Sequence, residues 1–281
     1  MIFRQRFSTT RDTVIKFIIG LITAFIMFYP ILVVYFGAFK EKGQINADPF
    51  GFPNPPTLQT MREILGVSSS FWSMLYNSVL ITGCTIAIVL VFAMAAGVGL
   101  SRIRFKGQQI LFNYFVMGLL FPLTVAILPL MLQLKTLGLT GTRFGVIIAQ
   151  AAFNIPLSVF IFTGFFREIP QELQDACDID GGTLITFFRL VIIPVSTPVV
   201  STVSILVFVQ SWNQFLLPLL VLSDQSSYTI PLGIMQYQGQ FASGWNQIMG
   251  FIAISLLPIA IFYFSMQKYV IEGLTSGAVK G

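Results

Sequence analysis

No histidine occurs among the 281 residues, which removes the commonest metal ligand and the usual general base near neutral pH. Cysteine is almost as scarce. Cys84 lies in an apolar segment and Cys177 in a polar one, so neither a disulfide framework nor a thiolate cluster is supported. Charged residues make up 10% of the chain, against about 25% in soluble domains, while 55% of it is hydrophobic. A water-soluble fold cannot hide that much apolar surface. The acidic residues, 11 in all, fall in loops or near the ends of apolar segments, which argues against a proton relay inside a bilayer. An ion-coupled secondary transporter with a sodium site of carbonyls and hydroxyls stays open as an alternative. An intramembrane enzyme would need paired acids within spans or a metal set, and no catalytic or metal-binding residues are assigned.

What the chain does have is uncharged apolar sequence in lengths that match the roughly 20 residues needed to cross a bilayer. Six segments qualify: Val14–Phe39, Trp72–Leu100, Ile110–Leu134, Phe144–Phe166, Pro198–Leu222 and Ile248–Gln267. The expected fold is therefore all-α, a polytopic membrane protein of six transmembrane helices in a single domain over residues 1–281, with its core over about 72–270. Within the first segment the uninterrupted apolar stretch, Phe17–Phe39, comes after Arg4, Arg6, Arg11 and Lys16 as in a signal peptide, but it is longer than the about 7–15 apolar residues of a cleavable signal.

Basic residues orient these spans. One side collects Arg4, Arg6, Arg11, Lys16, Arg102, Arg104, Lys106, Arg167, Arg189, Lys268 and Lys280, or 11 of the 16. Positive charge favours the cytoplasm, so both termini are expected inside. The formal charge of +5 forms no run or patch, and nucleic acid is not an expected partner. Between the first two spans, residues 48–56 carry Pro49, Pro53, Pro55 and Pro56, which forbid a helix there.

The most informative polar segment is residues 168–198, between the fourth and fifth spans. Pro170 suits a first helical turn, Glu172 and Asp175 lie near its positive end, and Gly181 suits its stop. Leu173, Ala176 and Cys177 fall at i, i+3 and i+4 and are expected to share a small apolar face. A second helix is expected after Thr183, running through Phe187, Phe188 and Leu190 and ending at Pro194 and Pro198. The product is a helix-turn-helix at the membrane surface. Its small face suits a groove on a partner, although helix pattern alone favours an amphipathic connector resting on lipid.

Spacing adds a resemblance. Import permeases of ABC transporters carry Glu-Ala-Ala, three residues, Gly, nine residues, then Ile-x-Leu-Pro; here stand Asp175-Ala176-Cys177, Gly181 and Val191-Ile192-Ile193-Pro194 at the same spacing. Ile169-Pro170-Gln171-Glu172-Leu173, Ile179-Asp180-Gly181, Leu137-Gly138-Leu139-Thr140-Gly141-Thr142, Trp212-Asn213-Gln214-Phe215 with Pro218-Leu219, and the tail from Leu274 to Gly281 resemble the carbohydrate-importer branch, which includes the six-span maltose permease.

That resemblance implies a permease subunit of an ATP-driven sugar importer whose loop docks in a cleft of an ATPase. Glu172, Leu173, Asp175, Ala176, Cys177, Asp180, Gly181 and Pro194 are the implied coupling residues, with Gly277 and Lys280 in a tail that meets the ATPase. Implied partners are a second homologous permease, two ATPase subunits and an extracytoplasmic sugar-binding protein, in the cytoplasmic (inner) membrane of a bacterium or archaeon. No phosphate-binding loop is present, so ATP and Mg belong on the partner, and this chain is expected to bind no cofactor. Asn154, Gln210, Trp212 and Asn213 are candidates for the sugar path, since polar groups at membrane depth must face protein or a cavity. Hydrogen bonding between helices is the alternative role for them.

Overall fold

The structure is a computed structural model that describes the backbone of residues 10–66, 70–240 and 244–278, with side chains over 13–66, 70–239 and 244–268. Among the described residues the regular structure is entirely helical. Four helices are long and apolar enough to cross a membrane without interruption: α1 (Thr10–Ala38), α4 (Phe71–Arg102), α7 (Arg143–Glu168) and α14 (Trp245–Ala278). At about 1.5 Å per residue each exceeds the roughly 30 Å of hydrocarbon. Shorter elements are α2 (Gln44–Ala47), α3 (Gln59–Leu65), α5 (Gln108–Gly118), α6 (Leu123–Thr136), α8 (Gln171–Ile179), α9 (Leu184–Phe187), α10 (Ile193–Val195), α11 (Thr197–Trp212), α12 (Leu216–Val221) and α13 (Ile230–Gln240).

Two of the six expected spans are not single helices. The segment expected as Ile110–Leu134 is split into α5 and α6, whose axes differ by 103°. Pro122 explains the break: with no N–H, and a ring that would strike the carbonyl of Gly118, it ends one helix and opens the next. Gly118 lies close against α7, where a Cβ would stand 2.9 Å from Pro156 Cγ. The segment expected as Pro198–Leu222 is helical only to Trp212 and resumes at Leu216. Here Pro218 would strike the carbonyl of Gln214, and the Asn213 amide donates to the Val209 carbonyl at 2.9 Å, competing with the backbone ladder. At the other end of α11, a 72° bend at Ser196 separates it from Leu184–Val195.

By contacts the chain forms two compact units, residues 1–69 with 234–257, and residues 70–233 with 258–281. In the first, α1 leaves Val14 to Leu32 outside any core, as a lipid-facing helix does. Its C-terminal end is tied down: buried Lys40 donates its Nζ to the Asp48 carbonyl, Phe36 packs on Phe52 with centroids 4.6 Å apart, and Gln44 donates to the Asn54 carbonyl at 2.8 Å. Asn246 donates to Thr60 Oγ1 at 3.1 Å, and a Cβ on Gly250 would lie 2.7 Å from Thr60 Cγ2.

The second unit is built on α4 against α7, with α11 across both. Val89, Ala93, Gly97 and Val98 of α4 meet Val159, Phe162 and Phe166 of α7, joined by Phe187, Ile192, Val203 and Val207. Lipid tails are as apolar as leucine, so burial from lipid gains little and stability comes from close packing. Gly97 is where closeness is greatest: a Cβ would sit 2.7 Å from Phe162 Cβ and 3.3 Å from backbone atoms of Phe162 and Thr163. Gly83 and Gly99, which share the span, have open space instead.

A polar turn closes the opposite end of this unit. The Ser226 carbonyl accepts from Ser73 Oγ and Asn77 Nδ2, each at 2.9 Å, and Asn77 also donates to the Tyr228 carbonyl. Hydrogen bonds from the Ser226 hydroxyl and amide, with a smaller contribution from the Arg143 charge, hold the Asp224 carboxyl below the usual carboxylate range.

Candidate functional site

The polar loop after α7 folds as two helices because its turn residues are chosen for it. Pro170 precedes α8, fixing an extended entry, and Glu172 lies in the first turn. At the exit, the Gly182 amide bonds the Cys177 carbonyl at 2.8 Å and the Gly181 amide bonds the Asp178 carbonyl at 3.1 Å, the two bonds of a Schellman stop. Gly181 takes φ +75°, and a Cβ on Gly182 would lie 2.5 Å from Cys177 Sγ and 2.8 Å from its carbonyl oxygen. Both glycines are therefore needed for the turn. Thr183 then caps α9, accepting from the Thr186 amide at 3.3 Å. Phe187 and Ile192 anchor the stretch after this cap in the core, and the Pro194 carbonyl accepts from Thr197 Oγ1 at 3.2 Å.

The outward face of α8 differs from the one its spacing suggests. Glu172, Leu173, Asp175, Ala176 and Asp180 are exposed, but Cys177 is half-buried and packs against the cluster containing Phe166 and Phe187. It does not share an outward face with Leu173 and Ala176, because the returning Gly181–Gly182 turn folds back on its side of the helix. Ile179 takes that place at 86% exposed, the most uncovered large apolar side chain among the described residues. Its position, i+3 from Ala176, was the signal available in the sequence. Gly277 lies in the last turn of α14, and Lys280 falls outside the described residues.

Polar groups within the spans gather where α4, α7 and α11 meet. Gln150, only 3% exposed, accepts at Oε1 from the Ser211 hydroxyl and from Thr85 Oγ1 at 3.4 Å, and Ser211 Oγ lies 3.2 Å from Thr82 Oγ1. Its Nε2 is buried without a hydrogen-bond partner among the described residues, a state that calls for a water or another ligand. Gln150, Asn154, Gln210 and Gln214 line a cavity of about 190 Å³ together with Leu123, Phe153 and Leu217. Asn154 reaches it from a helix bearing Pro156, its own amide donating to the Gln150 carbonyl at 2.8 Å. Both interruptions of the expected spans border this space: Leu123 opens α6, and Gln214 lies between α11 and α12.

Of the four candidate path residues, Asn154 and Gln210 come together there. Trp212 is buried and stacks on Phe208 with centroids 5.4 Å apart, while Phe208 stacks on Phe262. Asn213 is exposed and bonds its own helix. Gln150 and Gln214 complete the group. Gln150 was missed because a lone glutamine in an apolar run carries no spacing signal, and its partners are 61 and 65 residues away.

Apolar spans broken beside an amide-lined cavity, with a structured loop at one end of the bundle, are what a membrane transport subunit presents. The chain belongs to the family of binding-protein-dependent transport system inner membrane components, whose model matches residues 89–276. Membership implies a binding protein and an ATPase as partners. The multiple sugar-binding transport system permease protein MsmG of Streptococcus mutans is 31% identical over 94% of this chain and 96% of its own. The trehalose/maltose transport system permease protein MalG of Thermococcus litoralis is 30% identical over 96% and 99%. A crystal structure of a bacterial ABC transporter involved in import of the acidic polysaccharide alginate contains a chain of the same fold, with TM-score 0.78 and 22% identity over 96% of this chain and all of that one.

Proposed function

We propose that this chain is the permease subunit of an ATP-driven importer of a sugar or oligosaccharide, forming half of the path and coupling to an ATPase through α8. The observation that carries the reading is the α8–α9 pair, whose Schellman stop and Thr183 cap present Glu172, Asp175, Ala176 and Ile179 outward. Short and branched apolar side chains flanked by carboxylates suit a groove with a basic rim. The working assembly is this chain, a second homologous permease, two ATPase subunits that hold ATP and Mg, and an extracytoplasmic sugar-binding protein. The excess of basic residues on one side supports both termini on the cytoplasmic face of the inner membrane, with Gly277 and Lys280 near the ATPase.

Sugar as cargo is supported by the named substrates of the relatives and by the amide-lined cavity, since buried donors and acceptors reward hydroxyl-bearing ligands. The cavity is smaller than the about 300–1,000 Å³ typical of ligand pockets, which fits a site completed by a second chain. Reconstitution tests the reading: with its ATPase, second permease and binding protein, this chain should give ATP hydrolysis stimulated by sugar-loaded binding protein. Sugar uptake by this chain alone, driven by a sodium or proton gradient, would establish the ion-coupled alternative.

The cavity makes a separate prediction. Gln210→Ala should change the relative uptake of two sugars differing in one hydroxyl, by roughly tenfold, because an unpaired polar group discriminates where an apolar wall does not. Equal slowing for both sugars would assign Gln210 to packing.

A further inference from the structure

Arg102, the last residue of α4, contacts the end of α7, the start of α8 and the ring of Phe187 on α9. Its Nη2 donates to the carbonyls of Phe166 and, at 2.6 Å, Ile169, which close the C-terminal end of α7. Its Nη1 donates to Gln171 Oε1 at 3.4 Å, on the first residue of α8. Its guanidinium carbon stands 5.9 Å from the centroid of the buried Phe187 ring, on α9. A cation at carbonyls left over by a helix C-terminus is favourable, and a planar fork serves two carbonyls from one nitrogen and an amide from the other in fixed geometry. Gln171 carries the connection further, since its Nε2 donates to Asp175 Oδ1 at 3.3 Å, one turn along α8.

We infer that Arg102, Gln171 and Asp175 form a relay that makes α8 move with the ends of α4 and α7, so that Arg102 is a positioning residue for coupling. This rests on the importer reading above. Cys177 packing and the Gly181–Gly182 turn hold the C-terminal half of α8, and its N-terminal half joins α7 through Ile169 and Pro170. The fork adds a side-chain tie at that N-terminal end. Asp175 stands on the exposed side of α8, so displacement of that surface reaches the cytoplasmic end of α4 through three side chains and two hydrogen bonds. A demonstrated energetic link, rather than adjacency, is what such a relay requires.

The test uses the complete importer in proteoliposomes, with wild type, Arg102→Gln, Arg102→Lys and Gln171→Leu compared at equal amounts of assembled complex. The readout is sugar moved per ATP hydrolysed, which a defect in folding alone would not alter. Arg102→Gln should lower that ratio by roughly tenfold, within the usual range of coupling between sites. Arg102→Lys keeps the charge without the fork and should fall between it and wild type. Gln171→Leu leaves the clamp on α7 intact and should lower the ratio in the same direction, and it carries the test alone if Arg102→Gln does not assemble. An unchanged ratio in Gln171→Leu or in the Arg102 variants would overturn the relay. Wild type without sugar-stimulated hydrolysis would instead overturn the importer reading on which the relay rests.

Discussion

Ala176→Trp combined with Ile179→Asp should abolish sugar-stimulated ATP hydrolysis while leaving the permease folded and inserted. Both side chains are exposed on α8 and contribute little to the fold, so their replacement should change stability by less than about 0.5 kcal/mol. A groove that receives a small side chain has no room for an indole, and a new carboxylate would be desolvated without a partner. Losing one central contact of an interface commonly costs about 2 kcal/mol or more, or roughly 30-fold in affinity, and two changes on one face compound it. Co-purification of the ATPase with tagged permease measures the first effect, and hydrolysis in proteoliposomes the second. Normal ATPase recovery together with normal stimulation would return α8 to the role of a lipid-surface connector. A thiol probe at Cys177 is a poorer test, since that side chain packs inward.

Gly97→Leu should prevent the membrane fold from forming. A single Cβ at this position already lies 2.7 Å from Phe162 Cβ, and neither helix can yield, because the next contacts at 3.3 Å are backbone atoms of α7. Overpacking of a tight core costs about 1–3 kcal/mol and occasionally more, and here three further carbons must be placed in the same gap. Since burial from lipid supplies little driving force, separation of α4 from α7 forfeits most of what holds this unit together. Gly97→Ala should be destabilised in the same sense, and Gly99→Ala, with open space around its Cα, should remain close to wild type. Thermal stability in detergent by fluorescence-detected size exclusion ranks the three. A folded Gly97→Leu protein with wild-type stability would show that the α4–α7 contact is looser than these distances require.

Elements whose signal lies within a few residues of chain were legible beforehand. Thr183 before an apolar turn, Gly181 after Ile179, and the motif spacing from Asp175 to Pro194 specify the α8–α9 pair, because caps and left-handed stops are satisfied locally. Continuous apolar runs located α1, α4, α7 and α14 for the same reason. The third and fifth spans were expected as one membrane segment each, although Pro122 and Pro218 stand in them, and the structure breaks both. Proline inside a membrane helix is tolerated in some places, as Pro30, Pro129, Pro156 and Pro258 are here, and ends the helix in others. The outcome depends on whether neighbours re-satisfy the freed carbonyl, and those neighbours come from distant sequence.

The sequence by itself determined the solvent this protein needs, the number of apolar segments, the local build of the loop after α7 and, through motif spacing, the family. Those properties depend on composition and on interactions spanning a turn or two of chain. The tertiary structure alone decided that Cys177 faces inward and Ile179 outward, that Gly97 rather than Gly83 or Gly99 is the point of contact, and that Trp212 packs while Gln150 borders the cavity. In an apolar environment every face of a helix reads alike, so hydropathy cannot tell lipid from protein. Only the packing of α4, α7 and α11 assigns each face, and with it the partners of Gln150 and of Arg102.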